Sequence, residues 1–220
     1  MEAKITANKL GEYLTASARR RRSIIKTIQE EGGFPAMHYT DARNAICDYL
    51  SGNISSQQLL EKSIELKNYV SDNNFSQSTK NASGAAIEDF IELEDEIVVK
   101  NCLIRKGSDF QENSIEISGV KVGAKPDLML LSADTEEVVG CIKFHFSQSA
   151  SLEKDSAEYT ATIMKKHLED NYTGGNKIDP KKILIIDNPT GEIYEAPKST
   201  KSRLKDIEAG CEEIFARWEI

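Results

Sequence analysis

The sequence predicts an α/β protein: a helical N-terminal region, a mixed core of helices and strands, and a closing helix. Three observations carry that expectation. Apolar residues recur at helical spacing through the first 75 or so residues. From Gly84 onward, short runs rich in β-branched residues interrupt the helical patterns. Near the end, Leu204, Ile207, Cys211, Ile214 and Trp218 return to a spacing of three and four.

From the N-terminus, Leu10, Tyr13 and Leu14 form one apolar face, and Ile24, Ile25 and Ile28 continue it after a basic run. Gly32-Gly33-Phe34-Pro35 is expected to end that helix. Thr40 suits the N-cap of the next, whose Ala42, Ala45, Ile46, Tyr49 and Leu50 make a stripe. Ser51-Gly52-Asn53 breaks it, and residues 54–70 read as another helix. The polar stretch from Ser71 to Ser83 has linker composition. It sets the expected boundary between an N-terminal region, residues 1–75, and a core, residues 76–220.

Beyond the boundary, residues 84–94 read as a short acidic helix with Ile87, Phe90 and Ile91 inward. Residues 97–104 and 114–122 read as strands, 127–131 as a buried apolar run and 138–146 as a further strand. A helix over 151–168 follows, then a buried strand at 182–186. The turn Asp187-Asn188-Pro189-Thr190-Gly191 leads into a final strand at 193–196. The succession after the linker is α-β-β-β-α-β with one strand in excess, and the pattern leaves open which strand is the addition.

Composition narrows the functional classes. The 220 residues carry 28 Lys+Arg against 36 Asp+Glu, a formal charge of −8, with 39% hydrophobic residues. That balance is globular, not disordered. The charge argues against a generic nucleic-acid coat yet permits a local basic cleft. Four cysteines without a CxxC pair do not support a zinc knuckle, and they read as reduced thiols. Gly174-Gly175 lacks the lysine and hydroxyl of a phosphate loop, and His38 and His167 have no nearby nucleophile. MEAKITANKL has no apolar signal core, and no apolar run approaches the roughly 20 residues that span a bilayer. A cytoplasmic location without membrane contact is expected.

Strand alternation places Ile142, Phe144 and Phe146 on one side and Cys141, Lys143, His145 and Ser147 on the other. A lysine within an apolar strand needs a route to solvent or a charged partner. Asp127, directly after Pro126, is the expected partner. An aspartate beside a lysine on adjacent strands can hold a hard divalent cation while the lysine contacts a phosphate or an attacking water. The alternative is a lysine ending at a sheet edge and an aspartate that merely opens a strand. Cys141 and His145, four apart, also suit a soft metal, against plain core packing of the cysteine.

Pro126-Asp127, followed fourteen residues after the aspartate by Cys141-Ile142-Lys143, resembles the PD-(D/E)XK nuclease superfamily. That resemblance implies a restriction-endonuclease-like α-β-β-β-α-β core over about residues 84–187. It further implies Mg²⁺- or Mn²⁺-dependent phosphodiester hydrolysis, with DNA as the substrate, in a prokaryotic defence or DNA-processing system. Asp127, Lys143 and Glu88 would be catalytic, and Asp127, Glu88 and the Ile142 carbonyl would hold the ion. Gly84 and Glu88 resemble the G-x-x-x-E of the exonuclease-like branch, and Asp155 and Tyr159 stand where that branch has Q-x-x-x-Y. Cys141, His145, Asp155 and Tyr159 would then be supporting residues.

Cys141 departs from the pattern, which wants an acid there, and thiol sulfur is a poor ligand for a hard ion. Glu88, Glu92 and Glu94 offer a migrated carboxylate. The departure supports a second expectation, a degenerate nuclease-fold protein acting as a nucleic-acid-binding or protein-interaction subunit. A third is a structural protein that docks a partner through its N-terminal helices. Arg19, Arg20, Arg21 and Arg22 are expected to contact phosphate, to meet acidic groups such as Glu88 to Glu96, or to form a solvated helix face. The resemblance also places Lys165 and Lys166 beside the nucleic-acid cleft.

Overall fold

In a computed structural model of the protein, residues 2–30, 38–148, 152–174 and 176–218 are described. The N-terminal part contains β1 (Lys4–Thr6), α1 (Ala7–Thr15), α2 (Ala18–Glu30), α3 (Thr40–Leu50) and α4 (Ser56–Lys67). Then come α5 (Asn74–Leu93), β2 (Cys102–Lys106), β3 (Ser114–Ile117), β4 (Val120–Gly123), β5 (Leu128–Ser132) and β6 (Val138–His145). The chain continues through α6 (Lys154–Asn171), β7 (Ile183–Asp187), β8 (Glu192–Glu195) and α7 (Lys201–Trp218).

Two mixed sheets result. The main sheet has the order β2-β5-β6-β7-β8, and a smaller one the order β1-β4-β3. In the main sheet β2, β5 and β6 run antiparallel, β7 is parallel to β6, and β8 is antiparallel to β7. Parallel strands need a long crossover, and α6 supplies it between β6 and β7. Both faces of the main sheet are covered, so its central strands are apolar on both sides. Leu128, Leu130, Ile142 and Phe144 pack with Ile46, Leu59, Ile87 and Phe90 of α3, α4 and α5. Met129, Cys141, Ile183 and Ile185 pack with Leu10, Ala161, Met164 and Ile207 of α1, α6 and α7.

Several boundaries differ from the sequence expectation. The first helical stretch is broken at Ala16-Ser17, where Arg21 donates to the carbonyls of Tyr13, Leu14 and Ala16. These carbonyls lie at the end of α1, where the helix leaves acceptors to be met from outside its own ladder, and that of Tyr13 also accepts the Ala16 N–H at 3.3 Å. Thr40 opens α3 instead of capping it. Helix α4 starts later than expected, because Ser55 and Gln58 close a capping box. The expected Gly32-Gly33-Phe34-Pro35 stop lies outside the described residues.

Residues 71–83 are not a linker. Asn73 accepts the Ser76 N–H at 3.1 Å, and α5 begins there. Small residues at 83–84 let α5 approach α4: the Ser63 hydroxyl donates to the Gly84 carbonyl at 2.9 Å. A Cβ at Gly84 would sit 2.6 Å from the Lys67 side chain and 2.9 Å from the Ser63 carbonyl. The excess strand of the pattern lies in residues 114–122, which fold back as a hairpin. Ser118 and Gly119 have φ of 46° and 77°, the left-handed pair of a tight two-residue turn. That hairpin leaves the main sheet to join β1. The expected strand at 97–104 begins only at Cys102, after a short 3₁₀ turn at Glu94–Glu96.

Candidate functional site

The Asp127 N–H donates to the Ile142 carbonyl at 3.1 Å, which continues the β5–β6 pairing one residue beyond β5. Its own carbonyl accepts the Gly107 N–H at 2.9 Å, a close approach that a Cβ at Gly107 would obstruct at Pro126. Backbone contacts on both sides therefore fix where the carboxylate begins.

The carboxylate is met by three donors. Arg43 Nη1 from α3 lies 2.7 Å from each oxygen, the Phe144 N–H reaches Oδ2 at 2.7 Å, and Lys143 Nζ lies 3.3 Å from Oδ1. Lys143 Nζ also donates to the Lys125 carbonyl at 2.9 Å. Only 6% of the Asp127 side chain is exposed. Burial alone would raise its pKa, but Arg43, Lys143 and the Phe144 N–H hold it below the usual carboxylate range. Burial lowers the Lys143 pKa, and Arg43 adds to that, while Asp127 opposes it. Cys47, one turn beyond Arg43, donates its thiol to the Asp127 carbonyl at 3.6 Å. Burial and the nearby carboxylate push that thiol up to about 12.

Asp127 and Lys143 are thus brought together, as strand alternation led one to expect. The other expected residues lie in different settings. Glu88 Oε2 pairs with Lys67 Nζ of α4 at 2.8 Å, and both groups are exposed. The Ile142 carbonyl is engaged with the Asp127 N–H. Cys141 is fully buried among Met129, Ile183 and their neighbours, which keeps its thiol protonated. His145 Nδ1 lies 2.8 Å from Asp187 Oδ1, while Asp187 Oδ2 accepts from the Leu152 N–H and the Thr190 hydroxyl.

Tyr159 donates to Asp206 of α7 at 2.9 Å, and Asp155 lies 3.7 Å from Arg203 of the same helix. These two therefore join α6 to α7. Lys165 pairs with Glu169, and Lys166 with Asp170 at 2.8 Å. Of the four arginines, Arg20 pairs with Glu12 at 2.6 Å and Arg21 with Glu213 at 3.1 Å, not with the acidic 88–96 segment. Arg19 and Arg22 are exposed.

The donors at Asp127 do not fit a hard divalent cation. Both carboxylate oxygens face nitrogen donors, two of them cationic, and the neighbouring thiol is neutral and buried. Among the described residues no group of three or more His, Cys, Asp or Glu is arranged to hold a metal. Arg43 Nη1 lies against both oxygens of the carboxylate.

Arg43 and Asp187 were not singled out from the sequence. Arg43 flanks the Ala42, Ala45, Ile46 stripe and lies four residues before Cys47, so both reach the same strand end. That spacing is the only signal the sequence carries for it. Asp187 reads as a turn residue, although it ends an apolar strand. No family model matches the chain, and no curated protein matches it in sequence.

Proposed function

We propose that this chain is a nuclease-like protein that binds nucleic acid without hydrolysing it. The saturation of the Asp127 carboxylate by Arg43, Lys143 and the Phe144 N–H carries this reading. A carboxylate so paired contributes to holding the strand ends in place and is not available as an ion ligand. The order α5-β2-β5-β6-α6-β7, once the inserted hairpin is set aside, supports the nuclease-like core, since it follows the α-β-β-β-α-β succession of the resembled superfamily. Affinity for nucleic acid would come from charge-assisted hydrogen bonds to phosphate, and so would fall with salt.

A second reading, a Mg²⁺- or Mn²⁺-dependent nuclease using Asp127, Lys143 and Glu88, is favoured by the 3.3 Å approach of Lys143 to Asp127. It requires Arg43 to leave the carboxylate and Glu88 to leave Lys67. Incubation with linear duplex and single-stranded DNA in Mg²⁺ or Mn²⁺ separates the two. Salt-sensitive binding with intact DNA is expected. Cleavage that disappears in both Asp127→Ala and Lys143→Ala would instead establish the nuclease.

A further inference from the structure

We propose that Arg43 and Lys143 together form a phosphate-binding site, braced by Asp127, whose ligand is a phosphodiester of a nucleic-acid backbone; this rests on the nucleic-acid-binding reading above. Arg43 engages Asp127 through Nη1 alone, which lies 2.7 Å from both oxygens. Among the described residues its Nε and Nη2 have no hydrogen-bond partner. Those two groups form the flat guanidinium edge that matches two oxygens of a phosphate. Its direction is set from below, because the guanidinium carbon lies 4.9 Å from the centroid of the Phe146 ring. Phe146 is itself stacked on Tyr39 and Phe144.

Lys143 uses two of its three hydrogens, on the Lys125 carbonyl and Asp127 Oδ1. Both cations touch the same oxygen, Oδ1, so one phosphate group can span them. Two cations against one carboxylate leave a positive charge in excess, which an anion neutralises. The side chains are 28% and 18% exposed, accessible yet partly withdrawn from water. An ion pair made there is screened less than one at an open surface. Arg20 and Arg21 differ, since internal carboxylates already face them.

The test measures a fluorescein-labelled single-stranded oligonucleotide by anisotropy over a salt series, and inorganic pyrophosphate by calorimetry. Arg43→Lys keeps the charge but removes the bidentate edge. Arg43→Gln/Asp127→Asn removes the ion pair as a unit, so that no buried carboxylate is left unpartnered. Melting curves establish that both variants fold. Each is expected to lose about tenfold in affinity, the size of one charge-assisted hydrogen bond. The double variant should also lower the salt slope by about 0.7. Unchanged oligonucleotide and pyrophosphate affinity in a folded Arg43→Lys and the double variant would overturn the proposal. If the wild type binds pyrophosphate through Arg43 but no oligonucleotide, the anion site stands and the nucleic-acid reading falls. Binding of neither probe by the wild type overturns both.

Discussion

At Asp127, a carboxylate with little access to water keeps its charge because cations and an N–H from three positions in the chain converge on it. Breaking such a buried pair from one side leaves a charge without compensation, which costs more than the pair itself contributes. Arg43→Ala is therefore expected to lose about 2 kcal/mol in urea unfolding, moderated by the Lys143 and Phe144 contacts that remain. Arg43→Ala/Asp127→Asn should recover part of that loss, and failure to do so would show that the pairing is not the cause. His167 gives a pH-dependent counterpart. It is fully buried, and burial lowers its pKa below the ordinary 6.5, although the Glu112 carbonyl acts in the opposite direction. The fold holds the neutral imidazole while the unfolded chain takes up a proton. Its stabilisation is present above the unfolded value and is lost as pH falls toward the folded one. The melting temperature should drop as the pH falls through about 6.5, with a smaller drop in His167→Gln. Asp127 and Asp187 have lowered pKa values, so their stabilisation is lost only in more acidic solution.

Individual elements show which local signals survive tertiary packing. The Ser55–Gln58 capping box has a sequence signature, and Ser55→Ala is expected to destabilise by about 1 kcal/mol in chemical unfolding. Gly140 on β6 carries no such signature. A Cβ there would run into the Lys182 backbone carbonyl, so Gly140→Ala should lower the melting temperature by disturbing the approach of the chain entering β7. The apolar stripes of α3 and α7 and the central strands were legible because their periodicity reflects burial directly. The first half of α5 was not, because its polar and small residues resemble a linker until Ser63 and Gly84 are seen in contact. Arg43 was equally illegible. Its role depends on α3 crossing the end of β5, and the partner is 84 residues away.

Across the whole molecule, the N-terminal region is woven into the rest. Strand β1 pairs in parallel with β4, and α1 packs against α6. Ala3 and Ile5 are buried, so deleting residues through Thr6 is expected to cost at least about 2 kcal/mol. Calorimetry should show the whole transition moving, whereas an N-terminal appendage would leave the main transition in place. The charge of −8 is compatible with phosphate binding on this view. Among the described residues, no helix is long and apolar enough to cross a membrane. The amino-acid sequence by itself determined the α/β class, the positions of the apolar strands and the need of Lys143 for a charged partner, because hydrophobic periodicity and the cost of burying a charge act locally. Only the tertiary structure decided that Arg43 joins that pair, that Glu88 turns to Lys67, and that residues 114–123 leave the main sheet for β1. Each of these depends on which surfaces meet across long stretches of chain, and local spacing carries no record of that.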